Sequence, residues 1–340
     1  MTGWRRHLIA GLVLVAIAAA VPFVFPVRYV VTQLTLFFIW AVVVTQWNLV
    51  FGVAGIFSLA QMVLFACGAF VSALLGFFLC WSLWFAMPVG ALVTVVFSML
   101  IGLACLRLKG PYVALLTLAI AQVVYVLIVT DTACFTTTDA GCLQLMGGTR
   151  GLSRFGDLGL RELLGGKWIV AHYFVALLLL VLAMAFSIAV MRGPLGLAFR
   201  ALRDNPGYAV SRGIGRFKYQ LWVFALSAFF TGLAGAFYAA NFRIVGPTIF
   251  SVSLLLFLLS MIVVGGMGTI WGPLVGAALL MLADEALKEI SDFRNIGLGI
   301  LLAAFVVVLP QGVVGALARR RSRAGPGRLA WRSARKPVAK

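Results

Sequence analysis

From Tyr29 to Leu106 the chain runs 78 residues without an Asp, Glu, Lys or Arg. A bilayer core takes about 20 apolar residues per helical crossing, so this stretch alone predicts about three crossings. Further charge-free runs cover Gly110–Thr130, Trp168–Met191, Tyr219–Phe242, Ile244–Ala283 and Asn295–Ala318. The run from 244 to 283 is long enough for two passes, and Leu8–Pro26 adds one more. The runs lack the polar residue at every second position that a membrane β-barrel shows. Composition closes the other routes. The chain is 63% hydrophobic and 11% charged, against roughly 25% charged in soluble domains, which excludes a soluble enzyme. Its 13% aromatic content excludes a disordered chain. The predicted fold class is an all-α polytopic membrane protein of about ten transmembrane helices, some of them short or re-entrant.

The +18 net charge sets the topology. With Arg5 and Arg6 inside, ten passes put Arg107 and Lys109, the 192–218 loop and the C-terminus inside as well. The 192–218 loop carries six Lys/Arg against one acid, Asp204, and the tail 319–340 carries nine and no acid. The loop 131–167 falls outside with four bases and four acids. Each strongly basic segment lands on one side, as the positive-inside rule requires, giving N-in/C-in. The domain reading is a transmembrane domain at 1–318, with a periplasmic loop at 131–167 and a cytoplasmic loop at 192–218, followed by a basic cytoplasmic tail at 319–340. That tail reads as an anchor near anionic lipid, not as a nucleic-acid site, because no aromatic-interleaved groove accompanies it. Ala18-Ala19-Ala20 resembles a signal cleavage site, but the apolar run continues through Phe23, Val24 and Phe25, so residues 1–26 are expected to be an uncleaved first helix.

Two kinds of chemistry are missing. All nine carboxylates fall in loops or at span ends; Asp284 and Glu285 come nearest to a span. Carriers and pumps usually keep such groups inside the bilayer, so coupling through an intramembrane acid is not expected. Gly165-Gly166-Lys167-Trp168 lacks the hydroxyl of a phosphate-binding loop, and no Lys follows Gly265-Gly266-Met267-Gly268, so the chain does not hydrolyse ATP itself. No enzyme constellation, cofactor motif or metal cluster stands out. Cys67, Cys80 and Cys105 are expected to pack as small hydrophobes. Cys134 and Cys142 share the external loop, where either a disulfide or two free thiols fits. His7 and His172 sit near span ends.

The polar residues that enter the spans are neutral. Gln46, Asn48, Ser58 and Gln61 cluster around Gly52 and Gly55, and Thr117 and Gln122 follow downstream. A Gly-interrupted segment frees backbone groups that must be buried in protein or line a water path, which makes these six the candidate wall of a translocation route. In the 192–218 loop, Asn205 can cap a helix, Pro206 suits its first position, and Gly213 suits the left-handed residue past its end. A helix from Pro206 to Arg212 is expected there as a docking element. Ala228, Gly232, Ala236 and Ala240 line one helix face for close packing. The short runs on either side of Gly265–Pro273 read as two shallow spans or a re-entrant pair.

These strings resemble the M-type permease subunit of bacterial high-affinity branched-chain amino acid ABC importers. The resemblance rests on Gly193-Pro194-Leu195-Gly196, Arg200-Ala201-Leu202-Arg203-Asp204-Asn205, Phe224-Ala225-Leu226-Ser227 and Gly265–Pro273, with Asn48–Gly52, Arg107–Tyr112 and Gly147–Ser153 upstream. It implies an inner-membrane permease subunit, not an enzyme, that works by alternating access. It also implies a second permease subunit, two ATPase subunits and a periplasmic solute-binding protein as partners. Arg200, Ala201, Arg203, Asp204, Asn205, Ala209 and Gly213 would then form the ATPase-coupling loop. Gln122 stands where the family often has an acid, and Ala60-Gln61 replaces a common Gly-His. Permeases for urea and short amides belong to the same family, and a stand-alone channel or secondary carrier is the alternative of another class.

Overall fold

The computed structural model describes residues 2–24, 27–105, 108, 110–132, 134–138, 141–153, 155–156, 158–160, 165–288, 297, 299, 303 and 312–316. The tail 319–340 and most of the run 295–318 lie outside the described residues, as do Arg107 and Lys109.

The apolar runs become helices: α1 (Thr2–Val24), α2 (Arg28–Asn48), α3 (Gln61–Phe78), α4 (Leu83–Cys105), α5 (Pro111–Val129), α6 (Trp168–Arg192) and α9 (Arg216–Phe242). Between α6 and α9 lie two short helices, α7 (Pro194–Asp204) and α8 (Pro206–Ser211). A helical pair, α10 (Val252–Gly265) and α11 (Gly272–Leu287), follows α9. Six segments among the described residues are long and apolar enough to cross a membrane. The protein is therefore a helical multi-pass membrane protein. The loop 131–167 adds what an all-helical reading omits. It forms an antiparallel hairpin of β1 (Cys134–Thr138) with β2 (Gly141–Gln144), and a short ribbon of β3 (Leu152–Ser153) with β4 (Ile244–Val245).

Proline starts several helices. Pro111, Pro194, Pro206 and Pro273 each stand in the first turn, where the missing N–H costs no hydrogen bond. The centre of the bundle is α2, α3 and α9. Trp40, Phe65 and Tyr238 meet there with ring centroids 5.2 to 5.9 Å apart. Close approach comes from glycine: a Cβ on Gly68 would stand 2.1 Å from the Gly232 carbonyl oxygen, and one on Gly235 would stand 2.0 Å from that of Phe65. Ala228, Ala236 and Ala240 of the same α9 face are buried. The partners of this small-residue row are α3 and α4 of the same chain.

The two ends of the bundle differ in charge. At one end the stretch after α2, the start of α5, the α7–α8 segment and Arg216 surround a common cavity. Leu108 and Gly110, which flank a lysine in sequence, and the basic 192–218 segment therefore share an end. At the other end the Trp84 indole donates to the Leu158 carbonyl at 3.0 Å, and β3 pairs with β4. α10 starts there, since Phe250 meets Tyr125 near the end of α5. α11 finishes there, since Tyr29 at the start of α2 donates to Glu285. The α10–α11 hairpin thus has both feet at one end and its tip toward the other. At 1.5 Å per residue its 14- and 16-residue helices reach about 21 and 24 Å, short of a 30 Å core.

Cys80 departs from expectation. It is exposed, at φ 52° in the α3–α4 turn, because a tight connection between two helices leaves it no apolar pocket; Cys105 is buried. His172 is buried one turn inside α6 with Nδ1 2.9 Å from the Trp168 carbonyl oxygen. The β1–β2 ladder fixes the backbones of Cys134 and Cys142, opposite Gln144 and Thr137. Their side chains, and so the choice between a disulfide and two free thiols, lie outside the described residues, as does the His7 side chain.

Candidate functional site

α2 does not end in a cap. Its last turn widens into a π-turn at Leu49–Val53, and the chain then runs non-helically from Ala54 to Ala60 before α3. The cause is local and tertiary together. Gly55 takes φ 70°, a left-handed conformation that glycine adopts without a Cβ penalty. Gly52 has no room for a side chain: a Cβ there would stand 2.3 Å from the Gly268 nitrogen.

The polar residues of this region stitch the break to its neighbours. Asn48 holds the hairpin tip with both ends of its amide. Its Nδ2 donates to the Thr269 carbonyl at 3.0 Å, and its Oδ1 accepts from the Gly268 N–H at 2.8 Å. Gln46 Nε2 donates to the Ala183 carbonyl of α6 at 3.2 Å, while its buried Oε1 has no partner among the described residues. The Ser58 carbonyl accepts from the Trp47 indole at 2.8 Å, and Ser58 Oγ accepts from the Ala60 N–H. Gln61 donates to Thr231 of α9, whose hydroxyl donates to the Ser227 carbonyl at 2.8 Å. Thr117 Oγ1 of α5 accepts from the Leu59 N–H at 2.9 Å. Five of the six sequence candidates therefore converge on one break. Gln122 does not join them; it is half-buried on α5 and has no hydrogen bond among the described residues.

The 192–218 segment meets the same break from the basic end. α8 spans Pro206–Ser211, six residues where seven were expected, with Arg212 as its C-cap. Asn205 caps it, its side chain accepting from the Tyr208 N–H at 3.1 Å, and Gly213 takes φ 85° past its end. The larger helix α7 was not anticipated. Its signal is Leu195, Ala198, Phe199 and Leu202, an i, i+3, i+4, i+7 stripe that sits inside a segment dominated by charge. Phe199 is buried with Leu49, Val50 and Val53 of the π-turn, and with Val223 and Phe224 of α9.

Two arginines tie α7 down. Arg200 donates to the Met191 carbonyl at 2.7 Å and the Gly196 carbonyl at 3.0 Å, fixing the α6–α7 elbow. Arg203 donates through Nη1 to the Gly52 carbonyl at 2.7 Å and through Nε to Asp204 at 3.0 Å. Ala201 is half-buried beside it. On α8, Ala209 is buried while Tyr208 and Val210 are exposed. The Arg212 guanidinium lies 5.3 Å from the Tyr208 ring centroid and donates to its hydroxyl. The outcome is a firmly seated elbow with an apolar, cationic knob on its outer side. One guanidinium joins it to the helix break, and one amide, that of Asn48, joins the break in turn to the hairpin tip.

No group of three or more His, Cys, Asp or Glu that could hold a metal occurs among the described residues.

The comparisons with known proteins agree with one another. The family profile for the permease component of branched-chain amino acid transport systems matches residues 29–309. The high-affinity branched-chain amino acid transport system permease protein LivM of Salmonella typhimurium is 29% identical over 253 residues, covering 68% of this chain and 57% of its own. LivM of Escherichia coli K12 gives the same identity and coverage. LivH of Escherichia coli K12, named as a permease protein of the same kind of system, is 26% identical over 175 residues, covering 47% of this chain and 56% of its own. The chain spans just over half the length of these curated relatives. No solved structure matches it.

Proposed function

Because the chain belongs to the family of permease components of branched-chain amino acid transport systems, we propose that it is a transmembrane permease subunit of an ATP-driven importer for branched-chain amino acids in a bacterial inner membrane. A second permease subunit, two ATPase subunits and a periplasmic solute-binding protein complete the assembly. The observation that carries this reading is the connection of Arg203 to Gly52. An exposed loop helix is useful as a docking element only if something links it to the membrane part, and Arg203 and Phe199 supply that link.

In this reading α7 and α8 form the coupling elbow. Tyr208, Val210 and Arg212 face the ATPase, and Arg200, Ala201, Arg203, Asp204, Asn205, Ala209 and Gly213 shape and seat the elbow. ATP binding draws the elbow with the ATPase, Arg203 carries the displacement to the break at Gly52, and Asn48 passes it to the α10–α11 tip. Gln46, Asn48, Ser58, Gln61, Thr117 and Gln122 line the route that this displacement opens. The ATPase must hold the elbow differently in its two states, since an equilibrium shifts only by a differential affinity.

The membrane topology that goes with this is N-in/C-in. α1 to α6 and α9 cross, α10 and α11 re-enter from the periplasmic side, and the charge-free sequence 295–318 is long enough for one last crossing. That gives ten membrane helices, and a re-entrant pair leaves the side of the C-terminus unchanged.

The test is reconstitution with the ATPases, the second permease subunit and the binding protein encoded with it. ATP-dependent accumulation of leucine, isoleucine or valine in proteoliposomes is expected. Uphill transport by the isolated chain without ATPases would overturn the reading, and accumulation of urea or short amides in place of branched-chain amino acids would reassign the cargo.

A further inference from the structure

At the basic end, a cavity of about 230 Å³ lies between the stretch after the α2 break, α5, α7 and the start of α9. Its walls are of two kinds. Phe57, Val113, Phe199, Leu202, Val223 and Phe224 make an apolar lining, and Arg203, Arg216 and Gln220 supply the polar groups. Arg203 is engaged by Gly52 and Asp204. Arg216 is half-buried and makes no ion pair or hydrogen bond among the described residues. It opens α9, whose N-cap Gly215 gives no side-chain cap, and α5 starts beside the same space at Gly110 with none either. Two uncapped helix N-termini add partial positive charge to that of the guanidinium. Among the described residues the carboxylate nearby is Asp204, two-thirds exposed and paired to Arg203, so it does not neutralise Arg216.

We infer that this cavity is a binding site for a small aliphatic carboxylate, and that its occupant brakes transport from the cytoplasmic side. The ligand class follows from the walls: an anionic head for Arg216 and the α5 and α9 N-termini, and a short branched hydrocarbon for the lining. The size agrees, since 230 Å³ is below the roughly 300 Å³ at which sites for drug-sized ligands begin. The braking role rests on the function proposed above. Arg203 carries the elbow's displacement from the cavity wall to Gly52, so a molecule filling the cavity holds α7 and the break against α5 and α9 and blocks that displacement. It binds the state in which those walls are together and disfavours the state in which they part. A transporter of aliphatic amino acids would then sense its own released cargo, held by its carboxylate with the ammonium turned to water at the open side of the cavity.

An anionic phospholipid carries the same chemistry, an anion on an apolar body, and the experiment separates the two sources. The probe is radiolabelled 4-methylpentanoate, bound at equilibrium to the complete importer in phosphatidylcholine nanodiscs. Saturable binding is expected. It should weaken about tenfold or more in Arg216→Gln, the loss of one charge-assisted hydrogen bond, and disappear in Val113→Trp, which fills the cavity. Elution profile and melting temperature report whether each variant folds. Leucine on the ATPase side is expected to slow ATP hydrolysis in the wild type and to lose that effect in Arg216→Gln. Absence of saturable binding, or equal binding in wild type and Arg216→Gln, overturns the site. Displacement of the probe by phosphatidylglycerol, with no response of hydrolysis to leucine, assigns the cavity to lipid and overturns the brake. If the probe binds as expected but the complex transports no branched-chain amino acid, the proposed cargo fails and the site stands.

Discussion

Arg203 Nη1 donates to the Gly52 carbonyl at 2.7 Å across 151 positions of sequence. The contact depends on glycine twice. The Arg203 stem lies where a Cβ on Gly55 would be, 2.3 Å from Cγ, and Gly52 must stay bare for the hairpin tip. Arg203→Ala removes a charge-assisted hydrogen bond of about 1.5–3 kcal/mol, nearer the lower figure because the side chain is 38% exposed. The expected result is an assembled complex that hydrolyses ATP but whose leucine uptake per ATP falls about tenfold. Arg203→Lys keeps the charge but has no fork for Gly52 and Asp204 together, and should recover only part of the loss. Unchanged stoichiometry in Arg203→Ala would remove the coupling role.

Asn48→Asp separates the two halves of the amide. The carboxylate still accepts from the Gly268 N–H, but it presents an oxygen to the Thr269 carbonyl where Nδ2 donated. The cost is that of an unsatisfied acceptor together with a carboxylate at a position only 1% exposed, at least about 1–3 kcal/mol. Peptides covering 265–272 should exchange amide hydrogens faster in the variant, while peptides from α4 keep their protection. Equal exchange at the tip would show that Asn48 does not hold it.

How much of this was legible in the sequence depends on the range of the interaction. Asn205, Pro206 and Gly213 obey rules that act within one helical turn, and they marked α8 to within a residue. The Ala228–Ala240 row announced a packing face, but not its partner, because Gly68 and Gly232 are brought together only by the tertiary fold. The polar cluster at 46–61 was visible, yet its anchor was not. Asn48 and Gly268 are 220 positions apart, and nothing local tells an amide that lines a path from one that pins a hairpin. α7 was hidden for another reason, since its apolar stripe is interrupted by Arg200 and Arg203 and reads first as a basic loop.

Packing of α3 on α9 gives a stability prediction. Gly68→Ala and Gly235→Ala each place a Cβ about 2 Å from a backbone oxygen, which cannot yield as a flexible side chain would. Overpacking of this kind costs about 1–3 kcal/mol. Both variants should melt several degrees below wild type in detergent. Gly166→Ala, where a Cβ would meet nothing within 4 Å, should melt as wild type does.

The foot of α11 carries a pH dependence. Lys288 Nζ lies 2.5 Å from Glu285 Oε2 and 3.3 Å from the Tyr29 hydroxyl. Burial alone would lower the pKa of this ammonium, but the hydrogen bonds and charges of Glu285 and Tyr29 outweigh it and hold the value above that of an ordinary lysine. A raised lysine pKa gives stability that is complete below the unfolded value near 10.4 and is lost as pH rises through the folded one. The clasp is therefore constant from neutral pH to about pH 10. Lys288→Met should be slightly less stable than wild type at pH 7, by under about 1 kcal/mol for a partly exposed pair. The gap should close as the pH rises through the raised, folded-state value of Lys288. A gap that persisted there would mean that Lys288 contributes through packing and not through its charge.

The hairpin itself is open to a direct test of sidedness. Ser251 precedes α10 and Lys288 follows α11, and the Phe250–Tyr125 and Glu285–Tyr29 contacts put both at the end opposite Arg203. Gly166 is exposed near the start of α6, and Gly207 is exposed on α8. In a chain stripped of its five native cysteines, single cysteines at 166, 251 and 288 should react with a membrane-impermeant maleimide from outside intact cells. A cysteine at 207 should react only after permeabilisation. Two full crossings by α10 and α11 would also leave 251 and 288 on one side, so the tip decides between the geometries. Met267, at the tip, is half-exposed beside Gly268, which packs against the Arg203 guanidinium and the Gly52 backbone. Exposed in the single chain, a cysteine there would be covered in the assembled complex by a re-entrant tip's neighbours, so it should be slow to label from inside and should gain reactivity in Arg203→Ala. Labelling as fast as at 207 in the wild type would make the tip an ordinary cytoplasmic loop and α10 and α11 two short spans.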